Sequence, residues 1–281
     1  MARSTPNAWT SASRGMTPFI VGLVVRDLAR AQQELTAALG FAWGDVVQSD
    51  AVGWPLKVTY ARTSEPYLQL IESCPDSPWE ALGDGRLDHI DVWAADFEVD
   101  SRRLEAAGFS LEIESAVTGR VWRLYRAKHS RLRVEMHYPN ERAAAMRRST
   151  FGLPDPGASP VGPTYRGVGI LVSKLEPAIE ELQDGLSLTF ADPIEILVDG
   201  QPARMTRSLE HPYLALTEHQ RGSSPGNGVL GLDHLVYRLG SHEAQSLRTA
   251  GLQAGASWQV GDEASPCYRS RWCGTGLMLE A

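Results

Sequence analysis

Gly85-Arg86-Leu87-Asp88-His89-Ile90-Asp91-Val92-Trp93 returns later in the chain as Gly231-Leu232-Asp233-His234-Leu235-Val236-Tyr237, and the fold follows from how these two stretches are read. Alternation with period two places His89, Asp91 and Trp93 on one face and Ile90 and Val92 on the other, the pattern of a strand with one apolar side. The second copy puts His234 and Arg238 on one face and Leu235 and Tyr237 on the other. A histidine on the polar face of a half-buried strand is placed to meet a ligand.

Working outward, a β-branched strand from Pro18 to Val25 leads through Asp27, a helix N-cap, into a helical stretch Leu28 to Leu39 stopped by Gly40. Further strands are expected from Phe41 to Val47, Leu56 to Ala61 and Tyr67 to Glu72, with breakers such as Gly53, Pro55 and Pro66. This βαβββ order recurs. From His89 it passes to a helix over Val99 to Ala107, then to strands around Leu111, from Arg120 to Arg126 and from Arg131 to Tyr138. A third copy starts at Val168, with a helix from near Glu176 to Asp184, and a fourth at Leu235, with a helix from His242 to Ala250. Helix-stop glycines followed by a large apolar residue (Gly40-Phe41, Gly108-Phe109, Gly185-Leu186, Gly251-Leu252) are spaced by 68, 77 and 66 residues, a near-regular period that marks a repeat.

The proline-rich stretch Pro139 to Pro163, with a short charged helix expected from Glu141 to Arg148, separates the second unit from the third. The expected organisation is a flexible tail over 1–17, one domain over 18–138, a linker over 139–163 and a second domain over 164–281. The class is α+β, with two βαβββ units per domain, four helices and about sixteen strands. Connections between the last three strands of each unit are too short for crossover helices, so the sheets cannot be all-parallel.

Composition narrows the function. A chain of 281 residues with 43% hydrophobic and 22% charged residues has the profile of a globular protein. A net charge of -7, with lysine only at positions 57, 128 and 174, argues against a nucleic-acid partner. No apolar run approaches a membrane span, and the segment Ala2 to Gly15 lacks the core of a signal peptide. Cys74, Cys267 and Cys273 suggest neither a disulfide framework nor a cysteine zinc site; the latter two flank an expected hairpin, and a cytoplasmic location fits. No nucleophile elbow, phosphate loop or dinucleotide fingerprint is present, so no organic cofactor is implied.

Paired βαβββ units opening with Val21-Gly22-Leu23-Val24-Val25-Arg26-Asp27-Leu28 and Val168-Gly169-Ile170-Leu171-Val172 resemble the vicinal oxygen chelate superfamily, which includes glyoxalase I, methylmalonyl-CoA epimerase, extradiol dioxygenases and bleomycin-resistance proteins. The likeness runs from Pro18 to Ala281. It is most specific at Leu68-Gln69-Leu70-Ile71-Glu72, Pro75-Asp76-Ser77-Pro78-Trp79 and Leu87-Asp88-His89-Ile90, which are similar to the epimerase-like branch. The resemblance implies curved mixed sheets with helices on their convex faces. It also implies divalent-metal ligands from the first, fourth, fifth and eighth strands of each domain. In the first domain those positions fall on Ile20, usually histidine in the family, and on Gln69, His89 and Glu135; in the second they fall on Gly167, Ala215, His234 and Glu280.

Periodicity supports the same map, since Arg131, Arg133, Glu135 and His137 share one face of their strand. An amide oxygen from Gln69, an imidazole from His89 and a carboxylate from Glu135 suit Mn²⁺, Co²⁺, Fe²⁺, Zn²⁺ or Mg²⁺. Asp91 and His137, each two residues beyond a ligand on the same face, are the stand-ins for the missing one. Catalysis is expected from Glu135, His89 and His137, and substrate contact from Tyr67, Trp93, Arg133, His234 and Glu280. The plainer reading makes Glu135 and Glu280 ion-pair partners of Arg131, Arg133, Arg269 and Arg271, and makes Tyr67, Trp93 and Trp122 packing residues.

Three functions stay open. The first is an isomerase, epimerase or lyase moving a proton beside a carbonyl of a small molecule, with secondary metabolism as one setting. The second is a metal-free binding or resistance protein that sequesters a small aromatic or polyketide-like molecule. The third, ranked last, is an extradiol dioxygenase, which expects two histidines and a carboxylate in the second domain, where Gly167 stands at one histidine position. The expected partner is a small molecule, and the expected assembly a monomer or homodimer.

Overall fold

The computed structural model describes residues 16–63, 66–81, 83–117, 120–138, 148–150, 152–154, 164–218, 230–238, 252–260, 263–270 and 276–280. The first half builds β1 (Thr17–Val25), α1 (Leu28–Leu39), β2 (Val47–Ala51), β3 (Trp54–Tyr60), β4 (Tyr67–Glu72), β5 (Gly85–Trp93), α2 (Phe97–Ala106), β6 (Ser110–Val117), β7 (Arg120–Arg126) and β8 (Arg133–His137). The second half repeats the order with β9 (Thr164–Val172), α3 (Leu175–Leu186), β10 (Ile194–Val198), β11 (Gln201–Arg207), β12 (Tyr213–Glu218), β13 (Gly231–Arg238), β14 (Gln253–Val260), β15 (Glu263–Arg269) and β16 (Gly276–Glu280). Residues 1–15 of the expected tail, the fourth expected helix, residues 141–147 of the linker helix and Cys273 lie outside the described residues, while Met16 is buried and Thr17 already opens β1.

Each half is one curled mixed sheet of eight strands. The first runs β2-β3-β4-β1-β5-β8-β7-β6 and stays open; the second runs β10-β11-β12-β9-β13-β16-β15-β14 and closes, because Leu197 and Val198 pair with Gln259 and Trp258. In both, the first strand of a unit lies parallel to the last and antiparallel to the first strand of the sister unit. Side-chain alternation then sorts the residues. Val21, Leu23, Leu68, Leu70, Ile90, Val92, Val134 and Met136 join Leu28, Leu35, Leu104 and Leu182 of the helices in a core that also takes in Val168, Ile170 and Leu235 of the second sheet. One apolar mass is therefore shared by the two halves. The opposite faces line two concavities: Ile20, Val24, Tyr67 and Ile71 in the first, Leu171, Tyr213, Val236 and Met278 in the second.

Helix ends follow local chemistry. Asp27 and Asp96 cap α1 and α2 by accepting from Arg30 N and Val99 N, and Gly40 closes α1 at φ 71°. α3 has no side-chain cap of its own; Glu218 of β12 accepts from Leu175 N instead.

Three expectations are corrected. The strand expected from Phe41 to Val47 starts only at Val47, because Phe41 is drawn into the shared core and its carbonyl accepts the Thr36 hydroxyl. Gly185 does not stop α3, which runs on to Leu186 and ends at Ser187 with φ 59°; glycine is needed because the Phe109 ring presses where a Cβ would sit. Arg131 sits at φ 58° in the turn before β8 and not in the strand.

Candidate metal centre in the first cup

The site begins with an irregularity. β5 meets β1 with Gly22 opposite His89 but Leu23 opposite Leu87, leaving Asp88 as an extra residue in a bulge. Asp88 and His89 are consequently both buried, and Asp88 Oδ2 lies 2.8 Å from His89 Nδ1. Arg133 Nη1 and Arg86 Nη2 reach Asp88 Oδ1 at 2.6 and 2.7 Å. Burial would raise the Asp88 pKa, but the His89 hydrogen bond and the Arg133 charge outweigh it and hold the carboxyl well below the usual range.

With Nδ1 taken, His89 turns Nε2 toward the cup, 3.1 Å from Asp91 Oδ1 and 4.0 Å from Glu135 Oε2. The imidazole fills the volume any side chain at Gly22 would need. His137 Nε2 completes the group, 2.9 Å from Glu135 Oε1 and 3.3 Å from Asp91 Oδ2. Two imidazoles and two carboxylates thus alternate. Burial opposes charge on His89, yet hydrogen bonds to Asp88 and Asp91 push it up to about 10. His137 is raised against the same burial by Asp91 and Glu135, and the two histidines in turn hold Asp91 low.

Strand register explains the gathering. Tyr67, Ile20, Asp91, Glu135 and Leu124 form one row across β4, β1, β5, β8 and β7, and Gln69, Gly22 and His89 form the next. Ile20 is a fully buried wall residue, and its neighbour in the row, Asp91, offers the oxygen donor that position lacks. Ligand atoms of His89, Asp91 and Glu135 all lie within 4.8 Å of one another. With metal bonds of roughly 2.0–2.2 Å, two ligands of one ion sit up to ~4.4 Å apart, so separations of 3.1 and 4.0 Å fit. Two further observations fit a cation. The Gln69 amide donates to Tyr60 at 2.7 Å while its buried Oε1 has no hydrogen-bond partner among the described residues. The Asp88–His89 pair is the outer-shell arrangement that fixes the ring of a metal-binding histidine.

The remaining expected residues take different parts. Trp93 stacks on Phe19 at 3.9 Å, and both rings stand edge-on to His137 at 5.8 and 5.3 Å. Tyr67 is buried and donates its hydroxyl to Pro154 O at 3.2 Å. Arg133 is only 4% exposed and is held by Asp88 and Glu112, so it positions Asp88 and is no open substrate contact. Asp88 itself escaped the sequence reading because strict alternation puts it on the far face; its recurrence before a histidine, as Asp233-His234, was the available signal.

The second concavity repeats the frame, but its register puts other residues at three of the ligand positions. β13 carries the same bulge, with His234 opposite Gly169 and Leu232 opposite Ile170, and Asp233 Oδ2 lies 2.9 Å from His234 Nδ1. The positions of Gln69, Asp91 and Glu135 are Ala215, Val236 and Met278. Glu280 therefore pairs one step further along, opposite Arg238, where the first sheet has His137 opposite Trp93. Of the expected second set, His234 is in register and Glu280 is not at the Glu135 position.

A sequence profile of the Glyoxalase/Bleomycin resistance protein/Dioxygenase superfamily matches residues 21–125. No curated protein matches the chain. Among solved structures, a triple mutant of 4-hydroxymandelate synthase from Streptomyces coelicolor superposes with a TM-score of 0.65 at 14% identity, over 94% of this chain and 91% of that one. The 2,3-dioxygenase LapB from Pseudomonas sp. KL28 gives 0.61 at 11% identity, over 94% and 92%. The Mn(II)-bound glyoxalase from Novosphingobium aromaticivorans gives 0.55 at 16% identity, over 95% and 82%. At such identities the likeness is one of fold.

Proposed function

We propose, from the match of the glyoxalase/bleomycin resistance protein/dioxygenase superfamily over residues 21–125 and from the geometry of the site, that the first cup is a metal-assisted proton-transfer site acting on a small carbonyl compound, as an isomerase, epimerase or lyase. The observation that carries the reading is the convergence of His89, Asp91 and Glu135 around one point, with Asp88 orienting the histidine from behind.

His89 Nε2, Asp91 and Glu135 would hold the ion, with the free Gln69 Oε1 as a neutral addition. When bound, a divalent metal supplies Lewis-acid polarisation of a carbonyl oxygen. The chain supplies the proton chemistry. Glu135 is 14% exposed where Asp91 is 3% exposed, so it is the carboxylate that meets a bound molecule and accepts a proton from the carbon next to the carbonyl. His137, raised in pKa and 2.9 Å from Glu135, returns a proton at that edge of the cup. Phe19 and Trp93 wall the same edge with aromatic surface and keep water from it.

That wall also favours a second reading, in which the cup binds an aromatic molecule without transforming it. The two readings separate in one experiment. Metal-free protein is titrated with Mn²⁺ by calorimetry, then incubated in D₂O with enolisable carbonyl compounds. Saturable Mn²⁺ binding with metal-dependent deuterium uptake beside the carbonyl is expected; tight binding of a compound with no exchange under any divalent metal replaces catalysis by sequestration.

A further inference from the structure

Each half plants a helix carboxylate on the other half between its last two strands. Glu34 and Glu181 are both the seventh residue of a twelve-residue helix, α1 and α3, and both are buried. Glu34 accepts the hydroxyl of Ser270, just past β15, in the second half. Glu181 reaches the first half, at the turn between β7 and β8. Its Oε1 accepts from Lys128 N and His129 N, the latter at 2.8 Å, and its Oε2 accepts from Ser130 N at 2.8 Å and Ser130 Oγ at 2.9 Å.

Four donors on one buried carboxylate, and no cation paired with it among the described residues, make Glu181 a receptor built for that turn. The turn is the sole entry to β8. Ser130 Oγ, 3.4 Å from Leu132 N, and Arg131 at φ 58° hand the chain to Arg133, Glu135 and His137. These three residues grip Asp88, face His89 and pair with Asp91. Glu34 has its partner Ser270 between β15 and β16, and the residue of β16 in the Glu135 position is Met278.

We infer that Glu181 is a positioning residue for the metal centre: the second half sets the strand that carries Glu135, which gives the ligand-poor barrel a task in the chemistry of the first cup. The inference rests on the metal reading for its functional meaning, while its structural content stands alone. Glu34→Gln is the internal control, because it disturbs the mirror contact under a concavity without the ligand set.

The test compares full-length wild type, Glu181→Gln and Glu34→Gln by Mn²⁺ calorimetry and by amide hydrogen exchange. Glu181→Gln is expected to weaken Mn²⁺ binding about tenfold, at the low end for outer-shell partners of a metal. It is also expected to speed exchange at Arg133–His137 by about tenfold, the worth of one charge-assisted hydrogen bond. Glu34→Gln should lower the melting temperature comparably, speed exchange at Gly276–Glu280 and leave Mn²⁺ affinity as in wild type. Equal loss of Mn²⁺ affinity in both variants, or unchanged affinity in Glu181→Gln, overturns the positioning role. Should wild type bind no Mn²⁺, the metal reading falls by itself, and unchanged protection of Arg133–His137 in Glu181→Gln then overturns the inference separately.

Discussion

The open cup and the closed barrel share strand order, bulge, glycine seat and aspartate–histidine pair, yet the row holding Tyr67, Ile20, Asp91 and Glu135 in the first reads Tyr213, Gly167, Val236 and Met278 in the second. The frame costs nothing in chemistry; the charged row does. Four carboxylates, two histidines and an arginine must be neutralised by one another, and Asp88, Arg133, Glu112, His89, Asp91, His137 and Glu135 form one connected network. In the second half Trp258, Met278 and Val236 fill the interior, and the His234 ring leans on Trp258 at 4.8 Å. The pairs of Leu197 with Gln259 and Val198 with Trp258 close the sheet around these side chains.

The largest expected effect tests whether chemistry is confined to the charged row. Glu135→Gln keeps shape but removes the anion that ligates or accepts the proton, and turnover of an enolisable substrate should fall about 10²- to 10⁴-fold. Glu280→Gln should leave turnover at the wild-type level. Loss of activity through Glu280 and not through Glu135, measured by steady-state kinetics, would move the site to the barrel and reverse the comparison.

A stability measurement sharpens it next. Asp88→Asn strips a fully buried charge partner from Arg133 and from the His89 ring, at a cost of about 3–5 kcal/mol in urea unfolding. Asp233→Asn, where the Asp233 side chain is 21% exposed, should cost about 1 kcal/mol. Equal costs would mean that the arginine network contributes nothing beyond the shared pair.

The smallest effect per step is pH dependence. His89, raised from 6.5 to about 10, contributes stability that is complete below about pH 6.5 and is lost as pH climbs toward 10. Asp88 and Asp91, held below the ordinary 3.8, contribute stability that is complete above about pH 4 and is lost as pH falls further. Metal-free protein should therefore melt highest between these limits, with a slope of at most about 1.4 kcal/mol per pH unit from one proton. Mn²⁺ should help most on the alkaline limb, because ion and proton compete for Nε2. The difference between wild type and His89→Gln isolates the group, and a flat difference from pH 6.5 to 10 would show that His89 carries no extra proton.

Much of this was legible beforehand. Period-two alternation placed His89, Asp91, Glu135 and His137 on cup faces, and helix caps at Asp27 and Gly40 marked α1, because these signals depend only on neighbours along the chain. Two kinds of error have physical causes. Asp88 was missed because a bulge breaks alternation, and a bulge is a property of two paired strands. Gly185 was read as a stop because its packing partner, Phe109, is distant in sequence.

The repeated βαβββ order, the apolar and polar faces of the strands and the superfamily resemblance are all written in local spacing along the chain. Folding adds what spacing cannot carry: Asp91 stands beside Ile20, Glu280 is one step away from the Glu135 position, one sheet closes while the other stays open, and Glu181 holds the turn before β8. Those facts depend on register and on contacts between distant segments, and a one-pair slip in register exchanges a ligand for a methionine without altering the local pattern on either strand.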